Sequence, residues 1–413
     1  MNRQLRAPST RNVRSARAHL SSLLVLTGLL AGSSHAQLPE DMGPEPVGER
    51  SVSFSHPLSA NSTVTADIFY PALSSGQNAT PNVAGGPYPL VVFLHGYFAP
   101  PSFYSILTAH MASYGFVVAA VGTEAGFFQN IMNEARDAHA LLHWVDEQGS
   151  NPTSFLWGMP SDGPWSATGH SNGVAAIFYM LEWEDRIDYV AATEANWFNI
   201  PTVSQFDGSF LSIGSSEDLL APASTNARRY YLEAQSAQRR TYALILGGGH
   251  NGSLDFPSSL HTLSHAEQNR LHRRLMSGFL RAEVLGEENV YSYLIGADVQ
   301  GEPISRETNC PRPILWAEHD GGQPGAVNAG MAAVPGDTIS LAWSRGDGLQ
   351  ALGLGLAGLS GSIYHTAVVP ASGVLEVPAN LPPEFSGSTL TVRGVRDSGS
   401  SWAYTRAARI QVP

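Results

Sequence analysis

Gly169-His170-Ser171-Asn172-Gly173 is the stretch of this chain whose residue types and spacing could do covalent chemistry. A serine hydroxyl is a weak nucleophile, so a chain that uses one must hold it on an exposed turn with an oriented base in reach. Ser166–His170 reads as a strand and the stretch from Val174 as a helix. Ser171 therefore falls on a sharp strand-to-helix turn, where flanking glycines let the two elements approach without a Cβ clash. The partners should follow in chain order, each on a loop after a later strand. Asp218, after "SFLSIGSSE", is the candidate acid, and His250, ending "TYALILGGGH", is the candidate base. Glu217 is the rival acid; His261 and His265 are rival bases on polar or helical ground. A tetrahedral intermediate needs preorganised donors. The backbone N–H of Asn172 is one, and the N–H of Tyr97 in His95-Gly96-Tyr97 is preferred over that of Phe98 for the second.

These residues need a scaffold, and the surrounding periodicity describes one. "YPLVVFLHG" and "FVVAAVG" are apolar runs too short for helices and are bounded by glycine, as strands buried on both faces would be. They alternate with helical stretches from about Asn133, Val174, Ser224 and His265. The expected fold class is α/β, a mostly parallel central sheet flanked by helices. After Glu288 the helical periods vanish, and short strands such as "TISLAWS", "ALGLGLAGL" and "STLTVRGV" suggest a small C-terminal all-β, sandwich-like domain. The expected boundaries are a signal peptide over 1–36, a flexible Pro- and Gly-rich lead-in over 37–50, the catalytic domain over 51–290, a linker over 291–311 and the sandwich over 312–413. On this reading the main sheet is complete without the sandwich, and a chain ending between Ala282 and Pro311 keeps its activity.

Composition narrows the function. Of 413 residues, 43% are hydrophobic and 14% charged, enough for a large core, and a net charge of −12 disfavours nucleic acid and other polyanions as partners. Arg3, Arg6, Arg11, Arg14 and Arg17 precede the apolar run Leu20–Ala31 and Ser34-His35-Ala36, the pattern of a cleaved export signal. The expected location is secreted or periplasmic, with no membrane span after cleavage. Cys310 is the sole cysteine, so no intrachain disulfide forms. His139 and His143 stand four apart on a predicted helix and could share a metal, yet Asp137 and Asp146 lie off that face; the pair reads as ordinary helix surface or packing. No metal and no cofactor is expected.

The segments "FLHGYFAPPSFYSILTAHMASYGFVVAAVGT", "GHSNG", "AATEANWF", "SIGSSEDLLAP" and "LILGGGH" resemble the cutinase-type polyester hydrolases and the related chlorophyllase and dienelactone-hydrolase-like branches of the α/β-hydrolase superfamily, from about Ser51 to Arg281. The resemblance implies an α/β-hydrolase fold with Ser171 as nucleophile and Asp218 and His250 as its partners. It implies Tyr97 and Asn172 amides as oxyanion donors, and Tyr97, Phe98 and Trp197 as substrate contacts, with Trp197 an aromatic wall for the acyl part. Asn172 stands where these polyester hydrolases usually carry an apolar residue, and its side chain is expected to make the pocket more polar. The implied activity is that of a secreted serine esterase acting on small-molecule or polymeric carboxylic esters, short to medium acyl chains best and aromatic esters and polyesters slowly. A peptidase or amidase on the same triad is the alternative, as is a surface- or carbohydrate-binding protein with a vestigial hydrolase domain. The C-terminal domain is foreign to the minimal family and is the candidate binder of a surface or polymer.

Overall fold

Every residue of Leu90–Leu94 and of Val117–Val121 is buried, as strands covered on both faces must be. The computed structural model describes residues 38–256, 261–319, 326–345, 363–380, 388–405 and 408–412. The expected signal peptide and the expected strand Ala351–Leu359 lie outside them.

The main sheet contains β1 (Val47–Phe54), β2 (Val64–Pro71), β3 (Gly76–Gln77), β4 (Leu90–Leu94), β5 (Val117–Val121), β6 (Trp165–His170), β7 (Ile187–Thr193), β8 (Ser209–Ser215), β9 (Arg239–Ile245) and β10 (Ile304–Asn309). Their order is β10-β9-β8-β7-β6-β4-β5-β2-β1-β3. From β5 through β4 to β9 every pairing is parallel. At the flanks, β2 runs antiparallel to β5 and β10 antiparallel to β9. The helices are α1 (Ser105–Ser113), α2 (Ile131–Gly149), α3 (Asn172–Met180), α4 (Thr202–Gln205), α5 (Ala227–Glu233), α6 (His265–Glu283) and α7 (Tyr291–Leu294). The pleat of β4 divides the core between the two faces. Leu90, Val92 and Leu94 pack with Leu141 and Val145 of α2 and Ile177 of α3. Val91 and Phe93 pack with Leu107 of α1 and Leu271 and Leu275 of α6.

Two expected boundaries are corrected. The lead-in over 37–50 is tied down: buried Glu40 pairs with Arg270 at 2.6 Å and Arg274 at 3.0 Å, and β1 already begins at Val47. Pro39 and Pro44 mark a turn and a bend while Gly48 already lies within β1, and the anchoring acid cannot be matched to its distant arginines from sequence. Residues 291–311 are no linker either. They contain α7 and β10, and β10 pairs with β9 along its whole length, so the main sheet is not complete before it. An edge strand reading Ile-Ser-Arg-Glu-Thr-Asn is too polar to stand out as a strand, because only Ile304 and Thr308 of its residues are buried.

Beyond it, β11 (Ile314–His319), β12 (Ala326–Ala332) and β15 (Val374–Asn380) form one antiparallel sheet. In the other, β14 (Ile363–Val368), β13 (Thr338–Arg345), β16 (Thr389–Asp397) and β17 (Trp402–Tyr404) follow in that order, with β18 (Ala408–Gln411) also on β16. These are the antiparallel sheets expected after the main fold. Alternate residues of β11 serve two cores: Leu315 and Ala317 face Met331, Leu341 and Trp343, while Ile314 and Trp316 join Leu280, Tyr291 and Leu294. Cys310 is buried beside this second core, and burial pushes its thiol up to about 12, well away from a reactive thiolate.

Candidate active site

Strand β6 carries the chain to Ser171, whose backbone sits at φ 53°, ψ −119° immediately before α3. That strain requires close packing on both sides of the turn. A Cβ on Gly173 would run into the Leu94 carbonyl, and one on Gly169 would lie 3.0 Å from Ile177 Cδ1. The turn is further fixed by the Ser171 N–H, which donates to Thr193 O at 3.1 Å.

Three expected residues meet here in one hydrogen-bonded line. Ser171 Oγ lies 3.0 Å from His250 Nε2, and His250 Nδ1 lies 2.7 Å from Asp218 Oδ2. The other oxygen, Asp218 Oδ1, accepts from the N–H groups of Leu220 at 2.9 Å and Ala221 at 2.8 Å, so the carboxylate is held from both ends. The rivals are turned elsewhere. Glu217 accepts from the Thr262 N–H and faces His261 at 3.7 Å, and His265 Nε2 donates to Leu254 O.

Partners that sequence reasoning did not single out set the loops. Buried His170 Nε2–H donates to the His250 carbonyl at 2.9 Å, and its Nδ1 accepts from Tyr104 Oη at 2.8 Å. Tyr104 Oη accepts in turn from the Gly96 N–H at 3.1 Å. One chain of bonds thus joins the loop after β4, the residue before Ser171 and the loop carrying His250. Burial, with the neighbouring histidines adding to it, drives the His170 pKa well below the ordinary value, which keeps the ring in the neutral form this pattern needs. Behind the acid loop, Glu194 Oε1 accepts from Ser215 Oγ at 2.7 Å and His272 Nε2 at 2.8 Å. Gln268 Oε1 accepts from the Gly249 N–H at 2.9 Å, beside His250. A lone acid closing the apolar run "YVAAT" and the i, i+4 spacing of Gln268 and His272 were the available sequence signals for this support.

A cleft of about 560 Å³ opens over Ser171, and Tyr97, Phe98, Asn172 and His250 line it. Tyr97 and Phe98 occupy the turn after β4, with Phe98 at φ 55°. The Asn172 N–H is at the first position of α3, where a helix leaves its amides without intrahelical acceptors and its dipole favours negative charge.

One expectation about the walls is corrected. Trp197 does not line the cleft: its ring stands edge-on to Tyr230 at 4.7 Å beneath the Arg229 guanidinium, and only its neighbour Asn196 reaches the opening. The backbone takes a positive φ of 41° at Glu194, and beyond it the indole packs against Tyr230 and Arg229 of α5. Phe103 and Phe256, edge to face at 4.8 Å, supply the aromatic wall together with Leu220 and Leu254. Asn172 lines the cleft, and its amide is paired: Nδ2 donates to Gln129 Oε1 at 2.9 Å and Oδ1 accepts from Asn196 Nδ2 at 3.0 Å.

A strained serine between a parallel strand and a helix, with acid and base on later loops at the same end of the sheet, is the arrangement of the α/β-hydrolase fold, and the chain has that fold. The chlorophyllase family model matches residues 74–184. Chlorophyllase-2 of Arabidopsis thaliana is 33% identical over 100 residues, 24% of this chain and 31% of that protein. Chlorophyllase-1 of the same plant is 33% identical over 101 residues, 30% of its length. A cutinase of Thermobifida fusca (strain YX) is 24% identical over 240 residues, 56% of this chain and 75% of that protein. The chain thus spans about a third of the chlorophyllases it matches and three quarters of the cutinase.

Proposed function

We propose that the protein is a carboxylic ester hydrolase working through an acyl-enzyme on Ser171. The reading rests on the line Asp218–His250–Ser171 at the floor of an open cleft with apolar walls, and the similarity to chlorophyllases and a cutinase supports the ester class. His250 Nε2 takes the Ser171 proton as Oγ attacks the ester carbonyl, while Asp218 holds the ring and stabilises the imidazolium. The oxyanion would be met by the Asn172 and Tyr97 amides. His250 then returns the proton to the leaving alcohol, and a water activated by the same ring releases the acid. No step calls on a cofactor.

The substrate class follows from the walls. Phe103, Phe256, Leu220 and Leu254 suit an apolar acyl or alcohol part. Exposed Phe98 and Phe127, 4.2 Å apart, extend the apolar surface outward from the cleft, which suits a bulky or polymeric ester as well as a small one. The Asn172 amide lines the same cleft with its donor and acceptor already taken by Gln129 and Asn196, so an apolar chain passing it strands no unpaired group. The Arg-rich start and apolar run of the chain support export, and no helix among the described residues is long and apolar enough to cross a membrane. The C-terminal sheets remain our candidate for a surface- or polymer-binding role.

The test is Ser171→Ala. Fluorophosphonate labelling should vanish and p-nitrophenyl ester turnover should fall by about 10⁴ or more with the fold intact. A folded variant retaining a tenth of the activity would refute the assignment, and faster cleavage of matched anilides than esters would move the enzyme to the amidases.

A further inference from the structure

At the opposite end of β6 from Ser171, three side chains converge without serving the proposed reaction. His139 and His143 project from one face of α2, and the chain leaving α3 brings Glu184 against them. His143 Nε2 lies 3.2 Å from His139 Nε2 and 2.9 Å from Glu184 Oε2, and His139 Nε2 lies 3.4 Å from the same oxygen. Asp137 and Asp146, the acids considered from sequence, are engaged elsewhere: Asp137 with Asn61 and Thr123, Asp146 with Arg186.

We propose that His139, His143 and Glu184 form a binding site for a divalent transition-metal ion of zinc type. Glu184 Oε2 can accept an N–H from either ring, and a single cation in the same place would instead take a lone pair from all three donor atoms at once. Four-coordinate zinc at 2.0–2.1 Å from nitrogen and oxygen ligands sets those ligands about 3.3 Å apart, and the three observed separations bracket that value. Two imidazoles and one carboxylate are the donor set that zinc prefers over calcium or magnesium.

The surroundings hold the donors in place. Glu184 Oε1 accepts from the Arg186 N–H at 2.8 Å, which leaves Oε2 for the histidines. Trp165 packs edge-on against the His143 ring at 5.3 Å, and the Arg186 guanidinium that covers Trp165 is neutralised by Asp146. His139 and Glu184 are buried while His143 is half-exposed, so an ion and a completing water can enter from the His143 side. Because β6 separates this site from Ser171 by about 20 Å of extended chain, the ion acts as a clip between α2 and the segment after α3. It is not part of the ester chemistry.

Full-length protein without a histidine tag, freed of metal by chelator, should bind one equivalent of zinc in calorimetric titration. Its Tm should rise on loading, and cobalt(II) in place of zinc should give the strong visible bands of a four-coordinate ion. His143→Gln and Glu184→Gln should each weaken zinc binding by at least about tenfold while ester turnover stays at the wild-type level. Absence of saturable zinc binding by the wild-type protein would overturn the proposal, as would variants that bind zinc as tightly as wild type. The wild-type titration decides even if a variant fails to fold.

Discussion

Replacing Tyr104 with Phe removes one oxygen and leaves two buried groups behind. Tyr104 is fully buried, and its hydroxyl is the acceptor for the Gly96 N–H and the donor to His170 Nδ1. Burial drives its pKa far above the ordinary tyrosine value, so the hydroxyl stays a donor at any working pH. In the variant neither partner has another acceptor or donor on that side, and each unsatisfied buried group costs about 1 to 3 kcal/mol. The unfolding free energy should therefore fall by about 2 to 6 kcal/mol. The functional effect follows from what the chain of bonds connects, namely the turn carrying Tyr97 and the loop carrying His250. A shift of either relative to Ser171 should lower kcat/KM about tenfold to a hundredfold, mainly through kcat, and equally across pH because neither Tyr104 nor His170 titrates in the assay range. Urea denaturation with pH-dependent p-nitrophenyl butyrate kinetics measures both. Stability within about 0.5 kcal/mol of wild type together with unchanged kcat/KM would show that the Gly96–Tyr104–His170–His250 connection has no role in holding the site.

Burial raises the Glu134 carboxyl to about 7, partly offset by His95, so the folded protein holds this proton more tightly than the unfolded chain. The associated stability is present below the ordinary carboxylate range and is lost as pH rises through about 7; Glu134→Gln should gain on wild type by up to about 3 kcal/mol between about pH 5 and about pH 8, and a constant difference in denaturation midpoints would contradict this. Ending the chain near residue 290 should give insoluble, inactive protein, because it strips β10 from the sheet and Ile304, Ile314 and Trp316 from the second core; soluble turnover from such a chain would restore the self-sufficient domain expected from sequence. Trp197→Ala should leave the ratio of butyrate to benzoate ester turnover unchanged, while Phe103→Ala should shift it by about threefold to tenfold, the worth of an aromatic contact; the reverse pattern in kcat/KM would return Trp197 to the cleft.

Local signals made the main catalytic candidates legible. Ser171 could be found because a strained turn between a strand and a helix demands small neighbours, and Gly169 and Gly173 record that demand within five residues. Asp218 and His250 could be found because parallel strands announce themselves as short apolar runs, and open sheets gather functional side chains at one end of those runs. The same logic gave the α/β class and the change of texture near residue 288. Tertiary structure alone decided which side chains meet across long separations. The direction of Trp197 depends on its landing site against Tyr230 and Arg229 of α5. The satisfaction of Asn172 depends on Gln129 and Asn196, from two different loops. Ile304–Asn309 joins the sheet because β9 offers an edge to pair with and the second core needs covering, neither of which leaves a mark within the segment itself. The meeting of Glu184 with His139 and His143 has the same origin: helical spacing puts the two histidines on one face, but only the packing of α3 against α2 brings the carboxylate to them.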